Sequence, residues 1–167
     1  MTDPSTQTVS VRVLPAGAGD TSSLGGIRNR FMIDSADTGG RFALVEHQFG
    51  PRALAAPMHR HHDEDEYTYV LTGRIGAIIE GHEVVAGAGD LLFKPRGQWH
   101  TFWNAGDEPA NCLELISPAG LEQLFRSFAT LTGEPEPQQL AEMAAKYHCE
   151  IDFPATFPVV ERHGLSF

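Results

Sequence analysis

The strongest constraint on the fold is a series of short apolar or β-branched runs, each ended by a turn signal, in the middle of the chain. Thr72-Gly73 is one such signal, and Gly81-His82 suits a two-residue hairpin loop. The predicted strands lie at 27–33, 41–49, 66–72, 74–80, 83–86, 90–94, 99–104 and 110–116. Short strands at this spacing indicate an all-β barrel or sandwich.

The chain of 167 residues has the length of a single domain, and its pattern changes on both sides of the strand-rich region. Val9, Val11 and Val13 alternate with polar residues, which predicts one short strand near the N-terminus. The predicted units are an N-terminal strand or extension (1–26), the barrel (27–117), and a helical cap with an extended tail (118–167) of the same domain.

Two helices are predicted after the barrel. Ser117 is expected to cap the first helix, with Pro118 as its first residue and Gly133 just past its end. An apolar stripe at helical spacing supports it: Leu121, Leu124, Phe125 and Phe128. The second helix is expected at about 137–147, and the tail from Cys149 onward is expected to be extended because it contains several prolines.

The positions of the histidines indicate a metal site. His59 and His61 are two residues apart, so on a strand both imidazoles point to the same face. Glu66 lies in the next strand, and His100 opens a later one. Three neutral imidazoles and one carboxylate suit a divalent transition metal such as Fe, Mn, Co, Ni, Cu or Zn. Four protein ligands leave one or two coordination positions open, as a catalytic metal needs.

Two motifs in this region resemble those of the cupin superfamily. The first motif is represented by His59, His61, Glu66 and Gly73. Eight residues separate Gly50 from His59, where the family pattern has five. The second motif is complete, with Gly89, Pro95, Gly97, His100 and Asn104. The chain also resembles single-domain bacterial cupins described as quercetin-dioxygenase-like.

The resemblance implies a cupin-type double-stranded β-helix, which is a jelly-roll barrel, with two C-terminal helices. It also implies a metal held by His59, His61, Glu66 and His100, and a dioxygenase that pairs an oxygen-chelating organic substrate with O₂. Glu66 can remain a ligand or leave the metal and act as a general base. Two alternatives stay open: a non-redox metal-dependent isomerase, polyketide cyclase or lyase, and a non-catalytic metabolite-binding cupin.

Strand alternation predicts three inward-facing residues, either as barrel core or as walls of a substrate pocket. If Glu66 points inward, so do Thr68 and Val70. If His100 points inward, so does Phe102. The residues expected to face outward, where they favour contact with another element or a second copy in a homodimer, are Tyr67, Tyr69, Trp99 and Trp103.

The remaining histidines and acidic residues near the cluster are expected outside the metal site. His62 should point away from His61, and residues 63–65 should form a solvated loop. The other histidines lie at no ligand spacing: His47, His82, His148 and His163.

Composition restricts the partners and the compartment. A net charge of −10 disfavours nucleic acid and anionic membranes as partners. Cys112 and Cys149 match neither a disulfide framework nor a zinc motif, which favours free thiols in a reducing compartment. The first residues lack the basic and apolar segments of a signal peptide, so we expect a cytoplasmic protein.

Overall fold

Two antiparallel β-sheets dominate the computed structural model, which describes residues 12–166. Within these residues the strands are β1 (Thr21–Leu24), β2 (Ile27–Ile33), β3 (Ala43–Phe49), β4 (Met58–His61), β5 (Asp65–Thr72), β6 (Arg74–Ile79), β7 (His82–Gly87), β8 (Leu91–Lys94), β9 (His100–Asn104), β10 (Ala110–Ser117) and β11 (Cys149–Asp152). One sheet has the order β1-β2-β3-β10-β5-β8, and the other has the order β11-β4-β9-β6-β7.

The barrel core lies where the inner faces of the two sheets meet. A strand places alternate residues on one face, and in β10 the buried set is Ala110, Cys112, Glu114 and Ile116. The main apolar cluster joins both sheets and includes Phe49, Val70, Ile75, Ala77 and Phe102. The all-β prediction is confirmed, and each strand predicted between residues 27 and 116 overlaps an observed one.

The N-terminal segment differs in detail from its prediction. Its strand is β1, and Val13 is exposed and lies outside any strand. Val9 and Val11, on which the strand was also predicted, lie outside the described residues. The alternation of three valines is therefore not what forms the strand that pairs with β2.

The first helix after the barrel begins later than predicted. Within residues 12–166 the helices are α1 (Ser35–Thr38), α2 (Glu122–Ser127), α3 (Pro137–Ala145) and α4 (Phe153–His163), with a 3₁₀ turn at Phe128–Thr130. The prediction that Pro118 starts a helix is wrong, because Ser117 is still in β10 and its hydroxyl donates to the Arg41 carbonyl at 3.0 Å. The Glu122 carboxylate instead accepts the Gly120 N–H at 2.6 Å, just before α2.

The tail after Cys149 is not simply extended, and this expectation is wrong. The strand β11 pairs with β4, and α4 follows it. Asp152 caps α4 by accepting the Ala155 N–H at 2.9 Å. Pro154 lies in the first turn, where no helical hydrogen bond is lost, and Pro158 is accommodated inside the helix. No helix in the described part of the chain is both long and apolar enough to span a membrane.

Trp103 shows how the outer face of the second sheet is covered. Its ring is buried and lies 4.6 Å from the ring of His163 at the end of α4. On its other side the strand neighbour is Gly76, where an added Cβ would lie 2.5 Å from the indole. The sheet therefore requires a residue without a side chain at this position.

Candidate metal centre

Strand register brings the four predicted ligands to one place. β4 carries His59 and His61, and His59 is the register partner of His100 on β9. These three histidines belong to one sheet. Glu66 comes from β5 in the other sheet, where its register partner is Lys94 on β8. The four side chains are all buried, so the site lies inside the barrel between the two sheets.

The four side chains are close enough to share one ion. Their candidate ligand atoms all lie within 4.8 Å of one another. Glu66 Oε2 lies 3.2 Å from His100 Nε2 and 3.5 Å from His61 Nε2. The group can therefore hold a metal ion, as the sequence predicts.

The hydrogen bonds of the imidazoles fit a metal. The Nδ1 atoms of His59 and His100 pair with the carbonyl oxygens of Pro57 at 2.7 Å and Gln98 at 3.0 Å. Such a bond makes Nδ1 the protonated nitrogen and leaves the Nε2 lone pair for the centre. Both ring nitrogens of His61 are buried and have no hydrogen bond in the described residues. Because an unpaired buried nitrogen is costly, a metal at this point would supply a missing partner.

The charges around the centre keep Glu66 ionised. Burial alone would raise the pKa of its carboxyl, but Lys94 and His61 together hold that pKa well below its usual range. The Lys94 ammonium lies 3.0 Å from Glu66 Oε2. Burial also lowers the pKa of His59 and of His100. The two rings are therefore neutral, which is the form that binds a metal.

A second buried layer lies beside the ligands and was not anticipated from the sequence. Lys94 also contacts Glu114 at 3.1 Å, and the Thr68 hydroxyl donates to Glu114 at 2.8 Å. Burial raises the pKa of Glu114 to about 7 despite the attraction of Lys94. Both charged residues occupy inward positions of predicted strands, so strand alternation was the signal that could have found them.

A cavity of about 80 Å³ adjoins the candidate ligands. His59, His61 and Glu66 line it, so a molecule in the cavity has direct access to the centre. Its other walls are mainly apolar and include Ile27, Ala55, Pro57, Phe102, Phe125 and Phe128.

The structure places the three predicted wall residues differently. Phe102 lines the cavity, whereas Thr68 and Val70 are fully buried and are not among its lining residues. Thr68 is instead part of the layer around Glu114. A role of the three in substrate binding stays a prediction.

Two polar residues in the cavity wall were missed by the sequence reasoning. His47 and Asn29 are both buried there, with Nδ1 of the ring 2.7 Å from the amide oxygen. His47 lies at no ligand spacing, so the sequence pattern did not assign it to the site. Its position in β3, in the alternating inward series with Val45 and Phe49, was the signal that could have found it.

The segment after His61 is less solvated than expected. His62 is exposed and forms an ion pair with Glu150 on β11. Asp65 pairs with Arg96 at 2.7 Å. The expectation of a solvated loop is wrong for Glu64, because this side chain is buried and one of its oxygens has no hydrogen bond in the described residues. Burial correspondingly raises the pKa of Glu64.

Comparison with known proteins identifies a matching family model and two similar sequences. The family model described as Cupin domain matches residues 45–116. The Tetracenomycin polyketide synthase protein TcmJ of Streptomyces glaucescens is 37% identical over 60 residues, which are 36% of this chain and 40% of that protein. Oxidoreductase iacF of Pestalotiopsis fici is 38% identical over 64 residues, which are 38% of this chain and 30% of that protein. The matches thus span less than half the length of both curated relatives.

Solved structures share the architecture. A sugar phosphate isomerase from a cupin superfamily, from Silicibacter pomeroyi, superimposes with a TM-score of 0.56 at 21% identity. The likeness covers 64% of this chain and 75% of that one. At this identity the likeness concerns the fold alone, and it confirms the predicted cupin-type barrel.

Proposed function

We propose that this chain is a metal-dependent enzyme, from the premise that it carries a cupin domain with three histidines and one glutamate at its centre. We infer that its substrate is a small organic molecule that chelates the metal through oxygen, and that the reaction is an oxygenation with O₂. The observation that carries this proposal is that three of the four candidate ligands line an apolar cavity. A ligand in that cavity reaches the metal and is shielded from bulk water.

The residues of the chain have separate tasks in this proposal. His59, His61, His100 and Glu66 would hold the ion. A bound divalent ion would polarise the substrate oxygen and, if it is redox active, would allow reaction with O₂. Apolar walls such as Phe102 and Phe125 orient the substrate and exclude water.

Glu66 is also placed to act as a general base, because it is ionised and lines the cavity. Its contacts with Lys94, His61 and His100 all use Oε2. Oε1 has no hydrogen bond in the described residues and is not cut off from the cavity. Oε1 is therefore the atom that would accept the proton of a substrate hydroxyl, while Lys94 keeps the carboxylate in place. This geometry supports a base that does not need to swing away from its neighbours.

A second candidate is a non-redox reaction on the same site, such as ring closure of a polyketide. The observation that favours it is the likeness to a protein named as a polyketide synthase protein. The likeness to a protein named as an oxidoreductase favours the first candidate. Both reactions use a substrate bound through oxygen, but only oxygenation consumes O₂.

Oxygen consumption tests the leading proposal. Protein reconstituted separately with Fe²⁺, Mn²⁺, Ni²⁺, Co²⁺ or Cu²⁺ is mixed with flavonols, catechols and β-diketones, and uptake is followed with an oxygen electrode. We expect uptake with at least one pair of metal and substrate, and none with Zn²⁺, which has no redox chemistry. Absence of uptake with every redox metal would overturn the oxygenase. Conversion of a substrate under argon would instead support the second candidate.

A further inference from the structure

The wall of the cavity contains a buried imidazole that the metal site does not use. His47 on β3 is buried, and its ring packs among Phe49, Phe102 and Phe125 with ring centres 5.6 to 6.2 Å apart. It is neither a candidate ligand nor a sequence neighbour of one. Each nitrogen of an imidazole in such an apolar wall needs a hydrogen-bond partner. A nitrogen without one is destabilising, because it has lost its hydrogen bonds to water.

A chain of hydrogen bonds fixes which nitrogen of His47 carries the proton. The Ser22 hydroxyl donates to the Phe125 carbonyl at 2.7 Å. Ser22 therefore accepts from the Asn29 side-chain NH₂, which lies 3.1 Å away. This orients the Asn29 amide so that its oxygen faces His47 Nδ1 at 2.7 Å. Since an amide oxygen can only accept, Nδ1 carries the hydrogen, and Nε2 of the neutral ring is an acceptor.

The acceptor Nε2 has no partner in the described residues. The Glu114 Oε2 atom lies 4.0 Å away, beyond hydrogen-bond distance, and Lys94 and Glu66 are the other charged groups that act on the ring. In the described residues, the buried polar side-chain atoms that lack both a hydrogen bond and solvent access belong to His61, Glu64 and His163. Nε2 of His47 is not among them, so it is open to the cavity that His47 lines.

We propose that His47 Nε2 is a specificity-determining acceptor that selects substrates with a hydroxyl group in addition to the oxygens that chelate the metal. The inference rests on the proposed function and narrows its substrate class to hydroxylated chelators. A ligand hydroxyl donates to Nε2, whereas a ligand without that hydroxyl leaves the nitrogen desolvated and unpaired. Asn29 and Ser22 are positioning residues, because they act only through the orientation of His47.

A binding comparison tests this selection. Zn²⁺-loaded protein is titrated under argon with catechol, 1,2,3-trihydroxybenzene and 1,2,4-trihydroxybenzene in a calorimeter. Catechol offers only chelating oxygens, and each triol adds one hydroxyl at a different position. We expect at least one triol to bind roughly 3- to 10-fold more tightly than catechol, the factor that one net hydrogen bond supplies. In His47→Phe the preference should disappear while catechol binding is retained.

The outcomes separate this inference from the proposed function. Binding of catechol without any preference for a triol, or a preference that survives in His47→Phe, overturns the role of His47 and leaves metal chelation standing. Failure of all three compounds to bind overturns both proposals. The exposed His82→Phe variant is the matched control and should keep the preference.

Two further measurements distinguish loss of the acceptor atom from misfolding of a variant. His47→Gln keeps an acceptor oxygen on a side chain of similar length, so it should retain part of the preference. Long-range ¹H–¹⁵N spectra of metal-free protein report the tautomer directly. We expect hydrogen on Nδ1 of His47 in the wild type. Hydrogen on Nε2 would make this atom a donor and would overturn the inference.

Discussion

His47 and His61 are both buried in the barrel, yet their imidazoles differ in their affinity for protons. Burial lowers the pKa of His47 to about 4, and the positive Lys94 adds to this effect. Burial acts in the same direction on His61, but in the metal-free protein the Glu66 carboxylate outweighs it and raises the pKa of His61 to about 10. Burial therefore keeps the His47 ring neutral, whereas a neighbouring carboxylate overrides the effect of burial at His61.

The neutral state of His47 predicts a pH dependence of stability. The unfolded ring has a pKa of 6.5 and the folded one a pKa of about 4. Between these values the unfolded chain binds more protons, so the free energy of unfolding falls as the pH falls through this range. Between pH 7 and pH 4, the free energy of unfolding of metal-free His47→Phe should therefore fall by about 3 kcal/mol less than that of the wild type. Urea unfolding across that range measures it.

The control for this measurement is the exposed His82→Gln. Its pH profile should follow that of the wild type, because this substitution leaves the buried His47 unchanged. A His47→Phe profile parallel to the wild type would contradict the neutral buried imidazole.

The candidate ligands give a second prediction at the scale of single residues. His59→Ala and His100→Ala should each weaken Zn²⁺ or Co²⁺ binding by more than roughly 100-fold. Loss of a residue that only supports a ligand weakens binding by about 10- to 100-fold, and loss of the ligand itself should weaken it further. Elemental analysis after dialysis should then find no stoichiometric metal. His62→Ala is the matched control, since this exposed neighbour contacts Glu150 and not the centre. Stoichiometric metal in either ligand variant would show that the ligand assignment is wrong.

Spacing along the chain was enough to predict that the four candidate ligands lie together, but not which groups surround them. His59 and His61 are linked by strand alternation, and Glu66 and His100 by motif positions. Lys94 reaches Glu66 and Glu114 only because β5 lies between β8 and β10 in the sheet. That order joins segments that are distant in sequence. Residue pattern alone does not determine it.

At the scale of elements, strands were predicted more accurately than the C-terminal helices. The strands combine β-branched residues with turn signals, which are both local properties. The segments β11 and α4 were missed because their prolines indicated an extended tail. What forms them is not local: β11 pairs with β4, and α4 covers Trp103 through contacts such as that with His163. Tertiary packing therefore overrides the local preference of these residues.

The contact between two strands gives a prediction for Gly76. An added Cβ would lie 2.5 Å from the buried Trp103 ring, which is held between β6 and α4. Gly76→Ala should lower the free energy of unfolding by about 1–3 kcal/mol, as overpacking does in a dense core. Thermal and urea unfolding measure the loss. Gly133→Ala, at a position with nothing within 4 Å of the added Cβ, should be close to neutral. Equal effects of the two substitutions would contradict the tight contact.

At the scale of the whole molecule, the candidate metal centre joins the two sheets. His59, His61 and His100 belong to the five-stranded sheet, and Glu66 belongs to the six-stranded one. An ion bound by all four stabilises their association, because it binds the folded chain and not the unfolded one. The predicted homodimer stays a prediction. Of the residues expected to face outward, Tyr69 is exposed, whereas Trp103 is covered by α4.

This arrangement predicts a stability gain on metal binding. At a free metal concentration about 100 times Kd, the gain is about 2.7 kcal/mol, which raises Tm by about 5–10 °C for a domain of this size. Differential scanning calorimetry with Zn²⁺, Co²⁺ or Ni²⁺ before and after chelation measures it. Mg²⁺ is the control, because imidazole is a poor ligand for it, and should leave Tm unchanged. No shift with any transition metal would contradict a site that links the sheets.

The pairing of β11 with β4 has a consequence for synthesis of the protein. The Arg60–Glu150 ion pair between these strands joins positions 90 residues apart. At about 5–20 residues per second, a ribosome takes roughly 5–20 seconds to add that length of chain. During this interval the strand with His59 and His61 has an open edge, which is a template for pairing with another nascent chain. The strand most needed for chemistry is thus among the last to be protected from aggregation.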